Sequence, residues 1–335
     1  MKASYQSYIL KFKQASGTSR GILTTKETFL LTIEGDGKKG IGECALFRGL
    51  SSDDVPDYEE KLEWLCQHIH AEESYIRTEL QQYPSILFGW EQAMKNWSLG
   101  SDLYFESDFT EKKSFIKING LIWMGNVDFM KSQIREKLNL GFDCIKLKIG
   151  VDWTEEKKIL NELRKNFSEN QLEIRVDANG GFTFGEAQLV LQELNELKIH
   201  SIEQPIKAHQ IEAMQNLCRQ TPTPIALDEE LIGVVGIQAK QQLLETIRPQ
   251  YIILKPALVG GFSGCDEWIS IAENLGIGWW ITSALESNIG LNAIAQYTAT
   301  KNNPMPQGLG TGALFTNNFE SRLKLEGDQL YFVGI

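Results

Sequence analysis

The chain has 335 residues, 33 Lys and Arg against 44 Asp and Glu, and a formal net charge of −11. This acidic balance argues against a nucleic-acid binder, which grips phosphates with clustered Lys and Arg. The 42% hydrophobic and 23% charged content is that of a folded globule rather than a disordered chain.

Strand signals come first. Residues 28–33 are rich in β-branched and aromatic types, Gly35-Asp36-Gly37 reads as a turn, and Gly40-Ile41-Gly42-Glu43 continues it as an antiparallel hairpin. Apolar residues at helical spacing (Leu62, Leu65, Ile69) then predict helices over about 58–81 and 84–98. Residues 1–110 are therefore expected to form an α+β domain.

From residue 115 the pattern alternates. Short apolar runs at 115–118, 144–149, 172–176, 201–202, 225–227, 251–254, 278–281 and 307–309 are each followed by a longer amphipathic stretch. Parallel strands need crossovers, so eight such units predict an α/β fold of the (β/α)8-barrel type over residues 111–315. A last strand pair around Gly327-Asp328 predicts that residues 316–335 return to complete the N-terminal capping domain.

Charge placement is the most informative feature. Lys146 and Lys148 end the second barrel strand, Asp177 the third, Glu203 the fourth, Asp228 the fifth and Lys255 the sixth. Residues at corresponding strand ends converge on the C-terminal mouth, where barrel enzymes place their sites. Three carboxylates from adjacent strands repel one another unless a cation sits among them. Oxygen donors without His or Cys favour Mg2+, with Mn2+ as the alternative, over zinc. Lys146 and Lys148 share a strand face, and Lys148 beside a second lysine and a divalent cation is expected to give up its proton readily. Lys255 approaches from across the barrel. Two lysines flanking a cation suit removal of a proton next to a carboxylate, with the metal and lysines stabilising the enediolate. The lysines alone also allow Schiff-base chemistry.

These residues resemble the enolase superfamily, in its muconate-lactonising subgroup. The motifs are Lys146-Leu147-Lys148, Asp177-Ala178-Asn179-Gly180, Ile202-Glu203-Gln204-Pro205, Asp228-Glu229 and Leu254-Lys255-Pro256. Within the subgroup the chain looks most like the o-succinylbenzoate synthase family, through Thr18-Ser19-Arg20-Gly21, Lys255-Pro256-Ala257-Leu258-Val259-Gly260-Gly261, the 283–291 segment and Gly308-Leu309-Gly310-Thr311-Gly312. The resemblance implies that Asp177, Glu203 and Asp228 bind Mg2+, that Lys148 is general base and then general acid, that Lys255 stays cationic, and that Lys146 supports Lys148. It implies that the Arg20 loop closes over the mouth and that Ser283, Gly260 and Gly261 help hold the substrate. The implied reaction is syn-dehydration of 2-succinyl-6-hydroxy-2,4-cyclohexadiene-1-carboxylate to 2-succinylbenzoate, through a metal-stabilised enediolate, in menaquinone biosynthesis. A dipeptide epimerase or N-acylamino acid racemase using the same two lysines and Mg2+ is the alternative.

Other features predict less. The five cysteines are scattered without a CxxC pair, the start lacks an apolar leader, and no run of about 18 apolar residues occurs. A cytoplasmic enzyme with a small-molecule carboxylate substrate, no membrane partner and room for a homo-oligomer is expected.

Overall fold

The structure is a computed structural model that describes residues 1–18, 21–123 and 125–334. The N-terminal sheet runs β1 (Lys2–Thr18), β2 (Gly21–Gly35), β3 (Lys38–Cys44), all antiparallel. Gly35 pairs with Lys38, and Asp36 and Gly37 between them both have positive φ. That is the primed two-residue turn whose twist matches the flanking strands. Helices α1 (Tyr58–Gln67), α2 (Glu73–Leu80) and α3 (Pro84–Leu99) cover one face of the sheet. The single helix expected over 58–81 is in fact two. The first stops at His68, whose Nδ1 lies 2.7 Å from the Trp64 carbonyl, and Ala71 N–H turns back onto the His68 carbonyl. Helix α3 starts at a proline, which has no N–H to lose at that position, and packs so closely on β3 that Gly42 leaves no room for a Cβ beside the Gly89 carbonyl.

The barrel follows. β4 (Ile116–Lys117) and β5 (Gly120–Ile122) precede α4 (Val127–Asn139). Then come β6 (Cys144–Lys148), α5 (Trp153–Asn166), β7 (Glu173–Asp177), α6 (Phe184–Glu196), β8 (Ser201–Glu203), α7 (Ile211–Gln220), β9 (Ile225–Leu227) and α8 (Ile237–Ile247). β10 (Tyr251–Leu254), α9 (Pro256–Val259), α10 (Gly261–Asn274), β11 (Gly278–Ile281) and α11 (Asn288–Thr300) complete the alternation. Local capping sets several helix starts: Asn126, Asp152 and Thr183 each accept a backbone N–H of the first turn, and Thr183 with Glu186 forms a full capping box.

β5 to β11 form one parallel sheet in sequential order. Parallel bridges Thr282↔Gly308 and Ile118↔Gln307 bring the eighth segment between the two edges. The first barrel strand is β5 rather than the run at 115–118. Instead, β4 pairs with β13 (Gln329–Phe332), which forms a hairpin with β12 (Leu323–Glu326). The tail therefore does two things. Around residues 314–317 it runs along β1, with Lys13 N–H on the Leu314 carbonyl and Thr316 N–H on the Lys11 carbonyl, and its final hairpin closes on the entry to the barrel.

Alternation along the strands sorts the side chains. Ile145, Ile174, Ile202 and Leu254 point out into the apolar layer beneath the helices. The opposite parity faces the barrel interior in two layers, because residues two apart on a strand share a face. The lower layer holds Lys146, Arg175, Ser201, Ala226, Ile253 and Trp280. The upper holds Lys148, Asp177, Glu203, Asp228, Lys255 and Thr282.

Candidate active site

The strand register brings the ionisable residues together. Lys146 pairs with Arg175, Lys148 with Asp177, and Asp177 with Glu203. Lys146 donates to Glu203 Oε2 at 2.8 Å and Asp177 Oδ2 at 3.2 Å. Lys255 donates to Asp228 and has Glu203 Oε1 at 3.8 Å. Lys148 reaches Asp177 Oδ2 at 3.4 Å, but its shorter bond, 2.6 Å, goes to the neutral amide oxygen of Asn179. The three carboxylates are almost fully buried.

The surroundings differ in sign. Burial works against the ammonium of Lys255, but Asp228 and Glu203 outweigh it and push its pKa up. Lys146 is likewise raised by Glu203 and Asp177 against burial. Asp177 is held well below the usual carboxylate range by Lys148 and Lys146 despite its burial. Glu203 goes the other way, to about 8, because burial and the flanking Asp177 and Asp228 charges exceed what Lys146 returns. Glu203 Oε1 accepts no hydrogen bond.

That shortfall of positive charge at Glu203 fits a hard divalent cation, and the donor set is all oxygen. Among the described residues no group of three or more His, Cys, Asp and Glu closes to metal-binding spacing; one oxygen of each carboxylate, Asp177 Oδ2, Glu203 Oε2 and Asp228 Oδ2, is taken up by a lysine.

Two residues beside the carboxylates adopt left-handed backbone: Asn179 at φ 42° and Gln204 at φ 41°. Asn179 accepts from Lys148, donates through Nδ2 to Glu229 Oε1 at 3.1 Å, and donates its own N–H to Asp177 Oδ1. Gln204 Oε1 accepts the Asp228 and Glu230 N–H groups and so holds the start of the loop after β9. Backbone in this region is disfavoured for residues other than Gly, and here side-chain bonds hold it. Asn179, Gln204 and Glu229 lie inside the strand-end motifs, so the signal was present, but only the fold gives them roles.

A cavity opens above the cluster. Lys146, Lys148, Asp177, Asn179, Glu229 and Lys255 line its floor. Leu121, Trp123, Ala284 and Leu285 from the barrel and Phe47 and Leu50 from the capping domain form apolar walls. Ser283 and Thr311 line it too. The Ser283 hydroxyl, however, donates to Glu286 Oε2 at 2.6 Å and accepts from Thr311 and from Leu285 N–H.

The structure corrects the placement of the glycine pair. Gly260 lines a separate cleft with Arg77 and Ser263, at the seam between α2, α3 and the barrel. A Cβ on Gly261 would stand 2.3 Å from Glu91 Oε2, because that carboxylate accepts the Phe262 N–H at the start of α10. Gly261 makes room for a contact between domains, away from the mouth. Arg20 lies outside the described residues. Trp280 on β11 faces the barrel interior in the lower layer, where the Arg175 guanidinium stacks 4.2 Å over its ring.

Comparisons with known proteins bear on the family and the fold. Residues 130–329 match the family model described as Enolase C-terminal domain-like. The chain is 44% identical to the o-succinylbenzoate synthase of Desulfotalea psychrophila (strain LSv54 / DSM 12343) over 98% of both sequences. It superposes on the crystal structure of MenC from Desulfotalea psychrophila LSv54 with a TM-score of 0.89 at 42% identity, covering 99% of each chain. The L-Ala-D/L-Glu epimerase of Bacillus subtilis (strain 168) is 29% identical over 52% of this chain and 47% of its own. Its substrate-liganded structure shares the fold, with a TM-score of 0.86 at 20% identity over 100% of this chain and 97% of that one. The chain belongs to the o-succinylbenzoate synthase family of the enolase superfamily.

Proposed function

We propose that this chain is a carbon–oxygen lyase that dehydrates 2-succinyl-6-hydroxy-2,4-cyclohexadiene-1-carboxylate to 2-succinylbenzoate. The observation that carries the mechanism is the unequal setting of two lysines across one cavity. Lys255 is held cationic between Asp228 and Glu203, whereas Lys148 makes its short bond to a neutral amide and only a longer one, 3.4 Å, to Asp177. The first arrangement suits a permanent electrophile and the second suits a group that exchanges its proton.

In this reading Asp177, Glu203 and Asp228 hold Mg2+, or Mn2+ in its place. When bound, the cation supplies Lewis-acid polarisation of the substrate carboxylate. Lys148, as the neutral amine, takes the proton from the ring carbon bearing the carboxylate. The electron pair left behind delocalises into the carboxylate, where the Lys255 ammonium faces the developing charge. Lys148 then returns its proton to the departing ring hydroxyl on the same face, water leaves, and the ring becomes aromatic. Lys146, fixed by Asp177 and Glu203, adds positive potential beside Lys148. The apolar walls from Phe47, Leu50, Leu121 and Trp123 exclude water from the ring. Arg20 is proposed, from the family resemblance alone, to bind the substrate.

The epimerase and racemase alternative is not favoured, because those relatives match either about half of the chain at 26–32% identity or 88% of it at 24%, against 44% over 98% for the o-succinylbenzoate synthase. The proposed division is a capping domain over 1–110, a barrel over 111–315 and a tail over 316–335. No helix among the described residues is long and apolar enough to cross a membrane. A cytoplasmic location in menaquinone synthesis, supported by five free cysteines, completes the reading. Its test is turnover of the cyclohexadiene carboxylate with Mg2+, with Mn2+ and after chelation. Metal-dependent formation of 2-succinylbenzoate is expected. Turnover of dipeptides or N-acyl amino acids in its place would overturn it.

A further inference from the structure

One stretch of the cavity wall is held in a conformation its own residues disfavour. Leu285 sits at φ 64°, a left-handed backbone costly for a branched, bulky side chain. With Ser283 and Ala284 it forms the wall that rises from the seventh barrel strand.

Glu286 is what fixes this turn. Its carboxylate is fully buried, and Oε2 alone accepts the Ser283 hydroxyl at 2.6 Å and the Ala284 N–H at 2.8 Å. The Ser283 oxygen in turn accepts from Leu285 N–H at 3.0 Å and from the Thr311 hydroxyl at 2.8 Å. A hydroxyl has one proton and two lone pairs, so Ser283 has nothing left to offer a ligand. The wall it belongs to is apolar in effect and presents Ala284 and Leu285.

The next residue ties the turn to the other domain. Glu43, fully buried on β3, accepts Ser287 N–H at 3.0 Å, the Ser287 hydroxyl at 2.5 Å and Gly290 N–H at 2.9 Å. It also accepts the Thr28 hydroxyl at 2.9 Å. A Cβ at position 290 would stand 2.7 Å from the same carboxylate. The ammonium of Lys26, buried on β2 with no hydrogen-bond partner, lies 5.9 Å from the ring of Phe47, itself a cavity-lining residue. The turn is thus anchored from behind by Glu286 and from the capping domain by Glu43.

We propose that Glu286 is a positioning residue for the dehydration, holding Leu285 in its left-handed conformation as the apolar wall against the substrate ring, with Glu43 locking that turn to the capping domain. This rests on the reading of the function given above. Neither carboxylate lines the cavity, and both act through the backbone of 283–287.

The experiment measures KM and kcat for the cyclohexadiene carboxylate, and the Kd of 2-succinylbenzoate by tryptophan quenching, in the Mg2+-loaded enzyme. Glu286→Ala is expected to raise KM and Kd at least tenfold and to change kcat less than threefold. Glu286→Gln keeps one side-chain oxygen for both donors and should restore KM to within threefold. Leu285→Gly should raise KM at least tenfold by itself, and adding Glu286→Ala to it should raise KM no more than twofold further. If Glu286→Ala lowers Tm but leaves KM and Kd within twofold of wild type, Glu286 is structural only and the proposal falls. If Glu286→Ala does not fold, Leu285→Gly still decides: a KM within twofold of wild type overturns the proposal. Wild-type protein that fails to turn over the cyclohexadiene carboxylate overturns the functional reading on which the proposal rests, a different result from active protein with unmoved variants.

Discussion

Replacing Lys148 with alanine separates the proposed base from its neighbours. A positioned general base contributes about 10²- to 10⁴-fold, and Lys148 is assigned both the abstraction and the return of the proton. No neighbour can take over. Lys146 is bound between Asp177 and Glu203, Lys255 lies against Asp228, and both are pushed further toward the ammonium form. The loss should therefore reach the top of that range, about 10⁴-fold in kcat, which is about 5.4 kcal/mol of barrel-mouth catalysis at about 1.36 kcal/mol per factor of ten. Stability should change little. Asp177 keeps Lys146 and the Asn179 N–H, and Asn179 keeps Glu229, so the cost is that of one hydrogen-bonding partner, about 1 kcal/mol. Steady-state turnover, paired with thermal unfolding of the same preparation, is the assay. A Lys148→Ala enzyme that folds normally and keeps more than about 1% of kcat would refute the assignment of the base.

Other outcomes follow from neighbouring residues. Lys255→Met should lower kcat by about 10²- to 10³-fold, the cost of one lost donor to a developing oxyanion. Lys255→Arg keeps a cation that cannot act as a base and should retain more activity than the Met variant; equal loss in both would point to proton exchange at Lys255, as an epimerase requires. Gly261→Ala should destabilise the fold by about 2 kcal/mol or more, from a left-handed backbone at φ 73° and a clash with Glu91, while KM stays as in wild type; a raised KM would return this glycine to the substrate site. Burial raises the Asp53 carboxyl from 3.8 to about 6, although Ser85 donates to it through N–H and hydroxyl. Because the folded state favours the protonated form, this contribution is complete below pH 3.8 and is lost as pH rises through about 6, a change of about 3 kcal/mol. Asp53→Asn should be free of that slope, and parallel Tm profiles for wild type and variant between pH 4 and 7.5 would contradict it.

The sequence by itself determined the barrel, the helix beginning at Pro84, the Asp36-Gly37 turn and the six strand-end ionisable residues. Each of these is local: strand alternation has a period of two, a helix of 3.6, and a residue ending a parallel strand points to one mouth whatever the partner strand turns out to be. The first barrel strand escaped that logic. The run at 115–118 and β5 are both short, and pairing with β13, more than 200 residues later in the chain, decides between them. Tertiary structure alone decided which lysine meets which carboxylate, and hence the difference between Lys148 and Lys255. It also moved Gly260 and Gly261 to the domain seam. The bond that holds the glycine segment there, Phe262 to Glu91, and the one that ties the 283–287 turn to β3, Ser287 to Glu43, join residues 171 and 244 apart. A residue's neighbours along the chain set its backbone preference, but a buried carboxylate is satisfied by whatever donors the folded chain brings to it, and that distance is not encoded in any local pattern.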